Sequence, residues 1–219
     1  MSNAPFYYNE IVVDPKDPNR LYAPETFTKV SDDAGKTWRD LSLKARHVDD
    51  HAVWVDPANT DHIFIGGDGG VYESWDQGAN FRFVRNLPIT QFYRVQPDNA
   101  TPFYNVCGGT QDNNSQCGPS RTTSVHGITT ADWSNVLGGD GFEAVIDPTD
   151  PNVVYAQYQY GGLARVDMRT TEKTFIAPQE GAGENRPKWN WNSPIIISPH
   201  KSNRIYYAGE KVWRSEDRG

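Results

Sequence analysis

No apolar run in this chain approaches the roughly 20 residues that a membrane-spanning helix requires, and residues 1–20 lack the apolar core of a signal peptide. Clusters of Lys and Arg are absent too: 21 basic against 28 acidic side chains leave a net charge of −7. That balance argues against nucleic acid or an anionic membrane as partner. Nowhere do apolar residues recur over a long stretch with a 3.6-residue period, so long amphipathic helices are not expected. Cysteine is scarce, with only Cys107 and Cys117. Their spacing could close a small disulfide loop, which would place the protein outside the cytosol, or leave two free thiols. Neither has His or Cys neighbours at zinc-ligand spacing, and no metal or cofactor is expected.

Aromatic residues are plentiful at 12%, alongside 19 Gly and 15 Pro. Such a composition favours short strands joined by turns. One eight-residue stretch, Ser31-Asp32-Asp33-Ala34-Gly35-Lys36-Thr37-Trp38, returns as Ser74-Trp75-Asp76-Gln77-Gly78-Ala79-Asn80-Phe81 and begins again at Ser215-Glu216-Asp217-Arg218-Gly219. In this Ser-x-Asp-x-Gly-x-x-aromatic pattern the carboxylate can accept backbone N–H bonds of a tight turn, and Gly tolerates positive φ. Ser31, Asp33, Gly35, Trp38, Ser74, Asp76, Gly78, Phe81, Ser215, Asp217 and Gly219 are therefore assigned to the scaffold rather than to chemistry.

A second motif precedes each copy: an apolar strand, a Pro/Asn turn, and a strand carrying Tyr or Phe. Its prolines are 15, 57, 97, 148 and 199, giving steps of 42, 40, 51 and 51 residues. That is a propeller-blade period. The expected fold is all-β: a β-propeller of four-stranded antiparallel blades at about 6–43, 48–86, 91–137, 142–178 and 192–219. Four blades are complete and the fifth stops before its last strand, within a single partial propeller spanning 1–219. The third blade is expected to have lost its Ser-x-Asp turn to an insertion at about 107–125, and the fourth to have rebuilt the turn around Asp167. An incomplete ring leaves strand edges uncovered, so the remaining blades are expected from a longer chain.

In such a blade the box turns share one end, while the second-to-third-strand turns and the crossings between blades share the other. The latter include Gly66-Gly67-Asp68-Gly69-Gly70, Gly108-Gly109-Thr110-Gln111-Asp112-Asn113, the 86–93 crossing, Gly138-Gly139-Asp140-Gly141-Phe142, and Trp189-Asn190-Trp191. Carboxylates and amides beside aromatic rings suit a carbohydrate, whose hydroxyls need acceptors and whose C–H faces stack. Asp68 and Asp140 are the candidate catalytic carboxyls. Candidate ligand-binding residues are His47, Asp50, His51, Gln111, Asp112, Asn113, Tyr160, Trp189 and Trp191. His47, Asp49 and His51 would point to one side of an extended segment, as a metal cluster or as a hydrogen-bonded turn. Trp189 and Trp191 would likewise share a side, as a sugar platform or as packing between blades.

The boxes, the Asp-Pro repeats and the Gly-Gly-Asp-Gly turns resemble the BNR/Asp-box propeller superfamily. The spacing is similar to that of sortilin-type receptor propellers and xyloglucanase-type two-propeller glycoside hydrolases. Phrases such as Phe6-Tyr7-Tyr8-Asn9-Glu10 and Thr90-Gln91-Phe92-Tyr93-Arg94 resemble secreted bacterial glycosyl-hydrolase- or sortilin-like repeat proteins. The resemblance implies an extracellular or periplasmic propeller that binds, and as an enzyme would hydrolyse, a polysaccharide or glycan. Its alternatives are a non-catalytic protein- or peptide-binding propeller and a purely architectural module. Two departures weigh against an enzyme. No arginine triad of the sialidase kind is present on the candidate face, and two-propeller glucanases divide their carboxylates between propellers.

Overall fold

The computed structural model describes residues 4, 6–87, 89–183 and 185–219; Pro88 of the 86–93 crossing lies outside them. The chain forms two compact units, residues 1–89 and 90–219. In the first, one sheet contains β1 (Val12–Val13), β2 (Leu21–Ala23), β3 (Lys29–Ser31) and β4 (Arg39–Asp40), and a second contains β5 (Asp50–Val55), β6 (Ile63–Gly67), β7 (Gly70–Ser74) and β8 (Arg82–Phe83). The other unit opens with β9 (Arg94–Pro97), β10 (Asn105–Gly109), β11 (Ser115–Pro119) and β12 (Ser134–Leu137). Its next sheet is β13 (Ala144–Ile146), β14 (Val153–Tyr158), β15 (Gly162–Asp167) and β16 (Glu172–Phe175), followed by the three strands β17 (Ile195–Ser198), β18 (Lys201–Ala208) and β19 (Val212–Ser215). Every pairing is antiparallel and runs in chain order, the meander of a propeller blade. Among the described residues four blades have four strands and the fifth has three. Among the described residues no helix is long and apolar enough to cross a membrane.

Strand alternation decides which face of each blade meets which neighbour. On β14, Val154 and Ala156 pack with Cys107, Cys117 and Val136 of the preceding blade, whereas Val153 and Tyr155 pack with Ile195, Ile205 and Tyr207 of the following one. In the first unit, Tyr22 and Val30 meet Val53, Val55, Ile63 and Ile65 in the same way.

The Ser-x-Asp-x-Gly turns close on the same core bonds. Gly35 N–H donates to Ser31 Oγ (2.9 Å), the Ser31 hydroxyl donates to Asp33 Oδ1 (2.8 Å), and Thr37 N–H donates to the same carboxylate oxygen (2.8 Å). Ser74, Asp76, Gly78 and Asn80 repeat the pattern, and Ser215, Asp217 and Gly219 repeat its first two bonds. The residue before each glycine is itself left-handed, with φ of 59° at Ala34, 58° at Gln77 and 74° at Arg218. Donation from the Thr37 hydroxyl and N–H holds the Asp33 carboxyl down to about 2. The carbonyl before the glycine is capped by an arginine from the preceding blade: Arg20 Nη2 donates to Gln77 O (3.2 Å) and Arg165 Nη1 to Arg218 O (3.0 Å).

The third blade differs from expectation. Cys107 and Cys117 are not in an insertion but stand opposite each other on β10 and β11, joined by a disulfide. The added loop is 120–133. Gly109 and Gly118 disguised these strands, because Gly has little strand preference. Both are required: a Cβ would lie 2.2 Å from Phe142 N at Gly109 and 2.5 Å from the Trp133 ring at Gly118. In the fourth blade Asp167 accepts the Arg169 N–H (2.9 Å) and its guanidinium, and Thr171 takes a φ of 61° to complete a different turn.

Candidate functional site

In the first unit the Gly-rich β6–β7 turn lies against residues 47–50. A Cβ at Gly67 would fall 2.3 Å from Asp49 O, and one at Gly69 would fall 2.2 Å from His47 Cβ. This close approach fixes Asp68, whose Oδ1 lies 2.7 Å from His51 Nε2, both side chains being half-buried. The His51 ring stacks on Tyr8 (5.5 Å) and meets the edge of Tyr7 (5.1 Å). Tyr8 donates to Asp49 Oδ1 (2.8 Å). Burial and that carboxylate push its phenol up to about 12.

His47, Asp49 and His51 do not share one side as expected. Asp49 is left-handed at φ 63°, which breaks the alternation, and His47 Nδ1 turns to Val48 O (2.6 Å). Among the described residues no three His, Cys, Asp or Glu side chains are grouped to hold a metal. Asp50 faces inward. It is 1% exposed, paired with the fully buried Arg46 and with the Thr28 hydroxyl, while Arg46 also lies over the Phe81 ring (5.0 Å). Burial raises its carboxyl; Thr28 and Arg46 pull it back.

The second unit builds its own cluster. Asp140 is 6% exposed, and its Oδ1 accepts the Asp112 N–H (2.8 Å). The Asp140 N–H donates to Gln159 Oε1 (2.9 Å), the Asn114 N–H to Gly139 O (3.1 Å), and the Gly141 N–H to Thr110 O (2.9 Å). These bonds lace the β10–β11 turn to the crossing into β13. They also sustain left-handed backbone at Asp112 (φ 62°) and Asn114 (φ 71°), an uncommon conformation that marks a candidate functional turn. Asp112 is half-exposed, with the exposed Gln111 and Asn113 beside it. Tyr93 donates its hydroxyl to Gln111 Oε1.

Aromatic rings border this turn. Buried Phe142 contacts Tyr93 (5.1 Å) and Trp191 (6.0 Å), and Trp191 meets Tyr160 edge-on at 5.2 Å. Tyr160 is 65% exposed and held at φ 59°, with its N–H donating to Trp191 O (3.3 Å). Trp189 parts company with Trp191, stacking instead on Trp213 (4.8 Å) and packing on Tyr207 (4.9 Å). The two tryptophans therefore serve different groups.

Sequence reasoning gave no site role to three contributors. Glu143 is buried and holds Arg94 Nη1 (3.1 Å) and Gln96 Nε2 (2.8 Å). Gln159 orients the Asp140 backbone, and Tyr8 covers His51. Only a charged residue following the Gly-rich crossing could have pointed to Glu143. A crevice of about 350 Å³ in the same unit, lined by Asp150, Val153, Arg165, Arg169 and Arg218 among others, contains none of the expected site residues.

No protein-family model matches the chain. No curated protein matches it either. Solved structures similar to it include a GH74 enzyme of Niastella koreensis, at 17% identity over 97% of this chain and 37% of that one, with a TM-score of 0.41. YCF48 bound to D1 peptide is 13% identical over 92% of this chain and 62% of its own, TM-score 0.41. A GH74 xyloglucanase from Xanthomonas campestris is 15% identical over 95% and 36%, TM-score 0.37. The chain spans little more than a third of the length of these two GH74 enzymes.

Proposed function

We propose that this chain is an Asp-box propeller module of BNR type from a secreted, glycosyl-hydrolase-like protein, and that it binds a polysaccharide or glycan. The observation that carries the proposal is the Tyr160–Trp191 pair beside the Gln111-Asp112-Asn113 turn. Exposed rings there offer apolar faces, and amides with a carboxylate offer hydroxyl partners, the two needs of a sugar. Asp112 is the carboxylate presented to the ligand, and Asp140 positions it through the Asp112 N–H. Asp68, paired with His51, is the corresponding carboxylate of the first unit. The cross-strand disulfide supports an oxidising compartment, extracellular or periplasmic.

The test is retention of the native chain on immobilised glycans, with reducing-end release measured in parallel. Tyr160→Ala and Trp191→Ala should each weaken retention about tenfold, the loss of roughly 1.4 kcal/mol that one aromatic contact supplies. Native protein that ignores every glycan, but captures peptides through Tyr160 and Trp191, would replace this function with peptide binding.

A further inference from the structure

Strand register lets the first and fourth blades be matched residue by residue. The row Tyr22, Val30, Arg39 runs across β2, β3 and β4, and Tyr155, Arg165, Thr174 hold the same places across β14, β15 and β16. Arg20 and Val153 correspond as well, since their carbonyls accept the N–H of Asp14 and Asp147, the aspartates of the two Asp-Pro turns. In the first blade arginines fill this place. Arg20 and Arg39 both reach Asp32 (2.7 and 3.0 Å), and Arg20 Nε donates to the Tyr22 hydroxyl (2.8 Å). In the fourth blade the two arginine positions carry the shorter Val153 and Thr174, and both line the crevice of about 350 Å³.

That exchange leaves hydrogen-bond donors without partners. Tyr155 is fully buried, and its hydroxyl, unlike that of Tyr22, bonds to nothing in the protein. Burial, with Asp147 nearby, pushes its phenol up to about 12, so the hydroxyl keeps the proton it would donate. Arg218 Nη2 lies 3.1 Å from Asp147 Oδ2, but its Nε is buried and unpartnered. Arg165 donates Nη1 to Arg218 O (3.0 Å) and, among the described residues, makes no ion pair. The carboxylates here are already engaged. Arg169 holds Asp150 (3.2 Å) and Asp167 (2.9 Å), and Asp147 accepts the Thr149 N–H and hydroxyl besides facing Arg218. Glu172 stands exposed, where solvent screens its charge.

We infer that this crevice binds a small organic oxyanion, a carboxylate, sulfate or phosphate group carried on a body of about sugar size. Unpartnered donors on Tyr155, Arg165 and Arg218, two of them cationic, select negatively charged oxygen, the strongest acceptor for a guanidinium. The volume is that of a small-molecule pocket rather than of a bare ion. The site lies wholly within the second unit and shares no residue with the Tyr160–Trp191 platform.

Calorimetry at fixed ionic strength with glucuronate, glucose sulfate and glucose phosphate, and with glucose as the uncharged control, tests the site and identifies its head group. At least one of the three anions should bind, and glucose should not. Tyr155→Phe removes one hydroxyl and no packing, so it should weaken that binding about tenfold, the loss of one hydrogen bond to a charged group, without lowering the thermal midpoint. Val153→Arg restores the first-blade arrangement and should abolish binding. Thr174→Arg, at an exposed position that tolerates the longer side chain, should do the same from the rim. Circular dichroism confirms that each variant is folded. Tyr160→Ala and Trp191→Ala should leave anion binding intact, so this result is read apart from the glycan platform. The inference is overturned when none of the three anions binds, when glucose binds as well as they do, when Tyr155→Phe and Thr174→Arg bind as the native chain does, or when Tyr160→Ala or Trp191→Ala abolishes the binding.

Discussion

Replacing Asp50 by Ala separates a ligand-binding carboxylate from a structural one. The side chain is 1% exposed and its partner Arg46 is 0% exposed, so the substitution strands a guanidinium without its counter-charge. Breaking a buried pair from one side costs about 3–5 kcal/mol. Thr28, whose hydroxyl donates to the same carboxylate, adds roughly 1 kcal/mol when it loses that acceptor. Against a urea dependence of about 1–3 kcal/mol per molar, the unfolding midpoint should fall by on the order of 2 M. The companion variant Arg46→Met with Asp50→Leu removes both charges and should recover most of that loss, because an apolar pair of similar volume replaces the ion pair at little cost. Urea titration followed by circular dichroism measures both. A midpoint for Asp50→Ala within 0.3 M of the native value, or a double variant no more stable than the single one, would refute the assignment.

Reduction of Cys107–Cys117, or Cys107→Ser, should destabilise the second unit by about 2.5–3 kcal/mol from the loop entropy of a ten-residue separation. A melt with and without reductant should show a fall on the order of 10 °C, and a fall under 2 °C would contradict it. Asp140→Ala removes the acceptor of the Asp112 N–H and should cost about 1–3 kcal/mol in stability as well as lowering glycan retention. Asp112→Ala should lower retention alone, as unfolding curves of the two variants will show. For His62, burial lowers the imidazole, but hydrogen bonds to Asp56 and Glu73 outweigh it and raise the group above its ordinary 6.5. A raised folded value means the stabilisation is present below about pH 6.5 and is lost as pH climbs through the folded value. Comparing native protein with His62→Asn across pH should therefore show a gap that closes on the alkaline side, and a constant gap would argue against it.

The blade pattern was legible because its signals are local. An Asp that accepts the hydroxyl of a Ser two residues before it and the N–H of a residue four after it, and a Gly at positive φ, can be recognised without knowing what packs around them. The blade period followed from the spacing of the Pro/Asn turns. What escaped depended on distant partners. Nothing in His47-Val48-Asp49-Asp50-His51 announces that Asp49 is left-handed, since that conformation is enforced by a turn some twenty residues on. Gly108, Gly109 and Gly118 looked like loop residues because the backbone and rings that exclude a Cβ come from distant parts of the chain. Trp189 and Trp191 share a periodicity but not a destination. Asp140 was visible as a carboxylate in a Gly-rich crossing, but its bond to the Asp112 N–H joins residues 28 apart and belongs to tertiary structure.

Arg20 and Arg165 each reach forward to a carbonyl of the blade that comes after them. A chain leaving the ribosome therefore makes each of these two donors before the acceptor it will meet. For these two bonds, a circular permutant would reverse the order in which donor and acceptor are made.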